Sequence, residues 1–278
     1  MQLWKDVLKT LKHNRLVVVA ASFLALMSVI VTVGPMFVSY SFDEINLDAT
    51  NEPPSLKHWF GTDPLGRDIF VRTLIGGRIS LMVGLIATAV SFIIGVTYGA
   101  ISGYLGGHVD ELMMRFVDLL YSLPHLFLVI CFLAFFSKDL LILFVALGAI
   151  SWLTMARIVR GQVLSIKQQE YVEAARACGT SSAKIIVRHI LPNALVPVIA
   201  YTTLTVPSAI LSEAFLSFLG LGVQPPLASW GTLLSDGIIS ISVYPWQLIC
   251  PAAMMTATLF SLNVLGDGLI EALNPRKR

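Results

Sequence analysis

The chain is short of charge. Only 13% of its 278 residues are Asp, Glu, Lys or Arg, against about 25% in an ordinary soluble domain. With 56% hydrophobic residues and a mean hydropathy of +0.78, that excludes a soluble globular protein and leaves an integral membrane protein. Cysteine is scarce as well. Cys131 and Cys250 sit in apolar runs and Cys178 in a polar stretch, so the three form no disulfide framework and read as reduced packing residues. No GxxxxGK[ST] string occurs, so the chain has no phosphate-cradling loop of its own. A net charge of +2 makes no case for nucleic acid. His13, His58, His108, His125 and His189 lie at no recognised ligand spacing, and no nucleophile is set beside a base. Neither a metal site nor an enzyme is expected.

What the chain has is apolar runs. Residues Leu16 to Val38 carry no charge, longer than the roughly 20 residues a helix needs to cross a bilayer. The basic stretch before them, MQLWKDVLKTLKHNR, reads as a short amphipathic helix. The run is too long for a signal-peptide core and no convincing small-residue cleavage site follows it, so an uncleaved first transmembrane helix is expected. Further runs at Ile79–Gly103, Leu119–Ser137, Leu140–Ala156, Leu191–Leu219 and Pro245–Gly266 predict six spans in an all-α membrane protein. Only Lys138-Asp139 separates the third from the fourth, which predicts a tight hairpin. The fifth holds Pro192, Pro197 and Pro207, and interior prolines predict kinks.

Lys and Arg set the orientation. With the N-terminus inside, the cytoplasmic segments hold four before Leu16, Arg115 in the second loop, six from Arg157 to Arg188 and three at the tail. Outside are five: Lys57, Arg67, Arg72, Arg78 and Lys138. The excess inside predicts that both termini are cytoplasmic. Three regions follow: residues 1–75 with the N-terminus, first span and outer loop; 76–267 as a core of five spans; and 268–278 as a cytoplasmic tail.

The connecting segments carry local signals. In the outer loop, Asp63 and Pro64 suit the N-cap and first position of a short surface helix, with Ile69, Arg72, Thr73 and Gly76 on one face. The segment GGHVDELMMRFVDLLYSLP is amphipathic, Val109, Leu112, Met113, Phe116, Val117 and Leu120 recurring at helical spacing, and predicts a helix entering the third span. Pro225-Pro226 and the glycines around them forbid a continuous helix, so SFLGLGVQPPLASWGTLLSDG is a folded outer loop. Ionisable residues within the spans reduce to His125 and Glu213. Both are candidates for the translocation path or for a satisfied place at the interface; Glu213 is placed near the outer interface and need not be deeply buried.

The most informative stretch is Glu170 to Pro192, EYVEAARACGTSSAKIIVRHILP, a polar, basic island between apolar runs. Tyr171, Ala174, Ala175 and Cys178 fall on one helix face, with Glu170, Glu173 and Arg176 outside it. Gly179 interrupts the helix. Ser181 or Ser182 can cap a second helix carrying Ile185, Ile186 and Val187, and Leu191-Pro192 opens the next run. Replacing Lys167, just ahead of the first helix, by alanine is expected to have a mild effect.

Glu173-Ala174-Ala175, then Gly179, then Leu191-Pro192 at this spacing resembles the EAA loop of ABC-importer permeases, although His189 stands where that family usually has isoleucine. The strings FGTDPLGRD, GGHVDELMMR, SFLGLGVQPPLASWGTLLSDG and NVLGDGLIEALNP narrow the resemblance, from about Leu56 to Pro275, to the dipeptide/oligopeptide/nickel branch and its second permease subunit. The resemblance implies a type I ABC-importer permease fold of six transmembrane helices in a bacterial cytoplasmic membrane. It implies that Tyr171, Glu173, Ala174, Ala175, Gly179, Leu191 and Pro192 form the coupling loop to an ATPase. The implied partners are a homologous permease subunit, two ABC ATPase subunits holding ATP and Mg, an extracytoplasmic solute-binding protein and membrane lipid, with no cofactor in this chain. The implied substrate is a di- or oligopeptide, with nickel or another small solute as the alternative. An ion-coupled secondary transporter would want buried acids or broken helices around a coupling ion, usually in related halves; two marginal ionisable groups and no evident repeat count against it. A scaffold would have no use for a coupling loop.

Overall fold

The computed structural model describes residues 7, 10–38, 40–136 and 139–273. Of the N-terminal segment read as an amphipathic helix, 1–6 and 8–9 lie outside this set, and 10–13 are helical. Lys138 of the expected hairpin and the last five residues of the tail also lie outside it.

Helix α1 spans Arg15–Val33, started by the Asn14 side chain accepting from the Leu16 amide at 3.1 Å, and passes into a 3-10 turn at Gly34–Met36. Then follow α2 (Ile69–Leu105), α3 (Gly107–Tyr121), α4 (His125–Phe135) and α5 (Leu140–Ile166). The short α6 (Glu170–Ala177) and α7 (Ser182–Ile185) lead through a π turn at Ile186–Ile190 into α8 (Leu191–Phe218). Helices α9 (Trp230–Ser240) and α10 (Trp246–Leu273) complete the chain. Among the described residues there is no strand, only an isolated bridge between Thr62 and Asp68.

Five stretches are long and apolar enough to cross a membrane: Arg15–Met36, α2, α5, Ser182–Phe218 and α10. The candidate for a sixth span is a bent pair of helices. Helices α3 and α4 pass the same test only as a pair and meet at 87° across Ser122, Leu123 and Pro124, so the amphipathic helix does not run straight into the third span as expected. Pro124 opens α4 in extended geometry, which forbids continuation of α3. Helix α8 instead runs unbroken through Pro197 and Pro207.

Two other boundaries differ from the sequence reading, both because paired charges continue a helix. The second span starts at Ile69, not Ile79, and its N-cap is Asp68, whose Oδ1 accepts from the Val71 amide at 2.9 Å. Asp63 caps no helix. Its Oδ1 accepts from the amides of Leu65 and Arg67, both at 2.9 Å, folding residues 63–67 into a turn, while Oδ2 takes Arg67 Nε at 2.7 Å and the buried Arg72. Ile69, Arg72, Thr73 and Gly76 do share a face, and it is buried. Helix α5 likewise continues past Ala156 to Ile166.

Helices α2 and α5 pack backbone to backbone. Gly95, Gly99 and Gly103 repeat every fourth residue along α2 and face α5: a Cβ on Gly95 would lie 2.5 Å from Met155 Cβ, one on Gly103 3.0 Å from the Arg160 carbonyl, and one on Gly99 would overlap the Ala156 carbonyl. Small residues are what permit such approach where lipid supplies no hydrophobic drive between helices.

At the far end from α6, Gln247 Nε2 donates to Asn51 Oδ1 (2.8 Å) and the Thr62 carbonyl (3.0 Å), tying the segment before α2 to α10. The fully buried Trp230 donates from its amide to Ser80 Oγ (3.1 Å) and from Nε1 to the Thr73 carbonyl (3.0 Å), pinning α9 on α2.

Candidate functional site

The loop from Lys167 to Ile190 is a compact unit at one end of the bundle. Glu170 and Glu173 occupy the first turn of α6, where the helix dipole favours negative charge, and Arg176 the last. Val172 is fully buried and packs with Val159, Val163, Ile185 and Ile190, so α6 is bolted to α5 and to the start of α8. Fully burying a side chain of this size contributes about 1.5–3 kcal/mol. The opposite side is open: Tyr171, Ala174 and Cys178 are exposed. The face read from the sequence therefore splits. Tyr171, Ala174 and Cys178 point outward together, whereas Ala175 is half-buried against the loop's own apolar cluster. The sequence reading missed Val172, because an eight-residue helix with apolar residues on two sides does not say which side is inward.

Gly179 adopts φ +76° in open space, so its requirement is conformational and not steric. The turn closes with the amides of Cys178, Gly179 and Thr180 on the carbonyls of Ala174, Arg176 and Ala175. Ser181 takes the N-cap position of α7. Leu191 opens α8 and packs on the loop cluster, while Pro192 lies exposed in the first turn, where its missing N–H costs nothing. His189 lies in the π turn, and its carbonyl accepts from Asn193 Nδ2 at 2.7 Å. Glu173 makes no ion pair among the described residues and lines an open groove with Tyr104, Leu105, Lys167, Gln168 and Arg176.

Lys167 makes a contact that the sequence did not announce. Its Nζ donates to the Gly103 carbonyl at 2.8 Å, satisfying one of the orphan acceptors at the end of α2. Two ion pairs next to it bind α3 to α5. Arg160 holds Asp110 through Nε–Oδ1 and Nη2–Oδ2, both 2.6 Å, and Ser102 donates to the same carboxylate. Arg157 reaches Asp118 at 2.7 Å and lies 4.1 Å over the Tyr121 ring.

Helix α3 ends at a cleft of about 640 Å³ between the α3–α4 bend, α5 and α8. His125 lines it, its Nε2 3.3 Å from Ser151 Oγ, which itself donates to the Leu147 carbonyl. Helix α8 contributes Tyr201, Thr205, Ser208 and Ser212, and α5 adds Thr154. Glu213 does not line the cleft. It is fully buried among protein groups on the other side of α8, deeper than the sequence required. Its Oε1 accepts from Ser217 Oγ (2.6 Å) and Ser229 Oγ (2.7 Å), holding the loop before α9 against α8. Ser217 stands four residues on and was legible as a partner; Ser229, across the loop, was not.

The comparisons match this architecture. Residues 95–278 fit the family model described as the binding-protein-dependent transport system inner membrane component, and residues 2–54 fit the N-terminal TM domain of oligopeptide transport permease C. The chain is 46% identical over 278 residues to the oligopeptide transport system permease protein OppC of Bacillus subtilis (strain 168), covering 100% of this chain and 91% of that one. Its identity to the protein of the same name in Escherichia coli (strain K12) is 49%, over 99% of this chain and 92% of the relative. With the dipeptide transport system permease protein DppC of Bacillus subtilis (strain 168) it is 46%, over 99% and 86%. Among solved structures, a chain of the MetNI methionine ABC transporter in inward-facing conformations superposes with a TM-score of 0.52 at 17% identity, covering 74% of this chain and 96% of that one. That likeness shows the shared fold, the type I ABC-importer permease fold. With a family model over most of its length and full-length relatives near half identity, the chain belongs to the inner membrane permease components of binding-protein-dependent transport systems.

Proposed function

We propose that this chain is one permease subunit of an ATP-driven importer of di- or oligopeptides, and that α6 is its coupling helix. It pairs with a homologous permease subunit, receives substrate from an extracytoplasmic binding protein, and is driven by two ATPase subunits that hold ATP and Mg. Both termini and the Lys167–Ile190 loop are cytoplasmic, and residues 51 and 229 lie outside. The core of residues 76–267 carries the path, with 1–75 and 268–278 flanking it.

One observation carries the reading: an exposed face on α6, with the small Ala174 between Tyr171 and Cys178, is open to a partner while Val172 fixes the same helix to α5 and α8. A helix that is exposed, small and firmly mounted can be pushed without yielding. Glu173, without an ion pair among the described residues, adds a charge for the ATPase groove, and Gly179 sets the turn that aims α6 away from the bundle.

The test is Ala174→Trp in the assembled importer. Because Ala174 is exposed, folding and membrane insertion should hold. Overpacking the docked contact by about 1–3 kcal/mol should lower uptake and substrate-stimulated ATP hydrolysis about 5- to 150-fold together. Phe260→Trp, on the exposed side of α10, is the control and should transport normally. An Ala174→Trp importer that transports like the wild type refutes the coupling assignment.

A further inference from the structure

The 640 Å³ cleft is of the size that holds small ligands. Its walls are largely apolar, set with uncharged polar groups: among the described residues no Asp, Glu, Lys or Arg lines it. Tyr201, Thr205, Ser208 and Ser212 recur at four, three and four residues along α8, one face of a helix, and all four open into the cleft. Hydroxyls in membrane helices often bond their own carbonyls, and Ser208 and Ser212 do so, to Leu204 at 3.2 Å and Ser208 at 2.9 Å. They are left with free acceptor lone pairs. Tyr201 and Thr154 differ. Both are exposed to the cleft and neither hydroxyl has a hydrogen-bond partner among the described residues. An unpartnered hydroxyl facing hydrocarbon is costly, so these two call for water, a polar ligand or a polar group of the partner subunit.

From Tyr201 to Ser212 the row rises about 16 Å at 1.5 Å per residue. An extended peptide advances about 3.3 Å per residue, so roughly five residues lie alongside it. Acceptors on Ser208 and Ser212 suit peptide N–H groups, and donors on Tyr201 and Thr154 suit peptide carbonyls. A fixed charge in a low-dielectric wall would trap side chains of the opposite sign and repel the others; this wall has none. Resting on the peptide-importer reading above, we propose that the α5–α8 cleft is a substrate subsite that contacts the main chain of an extended peptide through hydroxyls and is indifferent to its side chains. His125, 3.3 Å from Ser151, closes the end of the subsite nearest the α3–α4 bend.

The experiment uses the complete importer with its ATPases and binding protein in nanodiscs, and radiolabelled pentapeptides of net negative, zero and net positive charge. Ser208→p-benzoylphenylalanine is expected to cross-link the peptide on illumination during turnover, and Phe260→p-benzoylphenylalanine to cross-link none. Labelling of lipid or of the partner subunit alone at position 208, in a preparation that imports the peptide, overturns the subsite. Removal of the free donors by Tyr201→Phe and Thr154→Val is expected to slow uptake about fivefold for each hydroxyl lost, equally for all three peptides, with Thr154→Ser restoring the rate. A loss confined to one charge class, or none at all, overturns the main-chain reading. A wild-type importer that takes up no peptide sinks the importer reading and this subsite with it, whereas import without labelling at 208 sinks the subsite alone.

Discussion

Replacing Arg160 by methionine tests whether α3 and α5 are held as one body. The substitution keeps an unbranched aliphatic arm over α3 and removes the guanidinium. Asp110, only 8% exposed, then keeps the Ser102 hydroxyl but loses both charge-assisted bonds of 2.6 Å. Stranding a fully buried charge costs about 3–5 kcal/mol. The Arg160 side chain is 34% exposed, so water reaches the site and the expected cost falls to about 2–3 kcal/mol. At roughly 2–4 °C per kcal/mol for a chain of this size, the melting temperature of the detergent-solubilised subunit should fall by about 4–12 °C. Adding Asp110→Asn should recover about half of that, since the stranded charge is gone, and a double-mutant cycle isolates the pair. Arg115→Met is the internal control. Arg115 and Glu111 lie 3.8 Å apart with side chains 76% and 62% exposed, a geometry that adds nothing measurable. If Arg160→Met melts no lower than Arg115→Met, the clamp does not hold α3 to α5 and the reasoning from its geometry fails.

Gly99→Val should be the most damaging single change in the α2–α5 seam, since even its Cβ would overlap the Ala156 carbonyl; the expected result is loss of folded subunit on size-exclusion chromatography, and wild-type yield would refute the close approach. Topology is checked by single cysteines in intact cells: Asn51→Cys should react with a membrane-impermeant maleimide from outside and Gln168→Cys only after permeabilisation. Labelling of position 168 from outside would remove the coupling loop from the ATPase side.

The helices were legible where apolar runs were uninterrupted and misjudged where a charge interrupted them. Arg72 and Arg78 broke the run and moved the expected start of the second span to Ile79, yet Arg72 is buried inside α2 because Asp63 pairs with it, and Arg78 lies on an exposed side. Arg157 and Arg160 likewise ended the expected fourth span early, though Asp118 and Asp110 hold them. The partners of Arg157 and Arg160 lie on another helix, beyond any local window, and Asp63 lies in a turn nine residues before Arg72, outside the apolar run. The helix–turn–helix form of the Lys167–Ile190 loop was legible through its glycine, its proline and the spacing between them, which are backbone requirements. The side of α6 that faces inward was not, because Val172 is selected by packing on Val163 and Ile185. For the cleft, the sequence offered His125 alone. The hydroxyl row on α8 was present at helical spacing, but serines and threonines so placed acquire meaning only once α4 and α5 leave a space in front of them.

Helix α2 starts at the Asp68 cap beside the Asp63–Arg72 pair and ends where Lys167 meets Gly103. Its 37 residues extend about 55 Å at 1.5 Å each. The glycine seam makes α5 part of the same stiff piece, so one body reaches both the Asp63–Arg72 end of the bundle and the base of α6. In the proposed importer, that body touches the binding protein at one end and the ATPase at the other. Thermodynamic linkage then imposes a symmetry: whatever factor outer docking applies to the affinity for ATP-closed ATPases, ATP closure must apply to the affinity for the outer partner. A nucleotide titration with and without the docked binding protein therefore measures the grip of the outer surface, with no probe placed there.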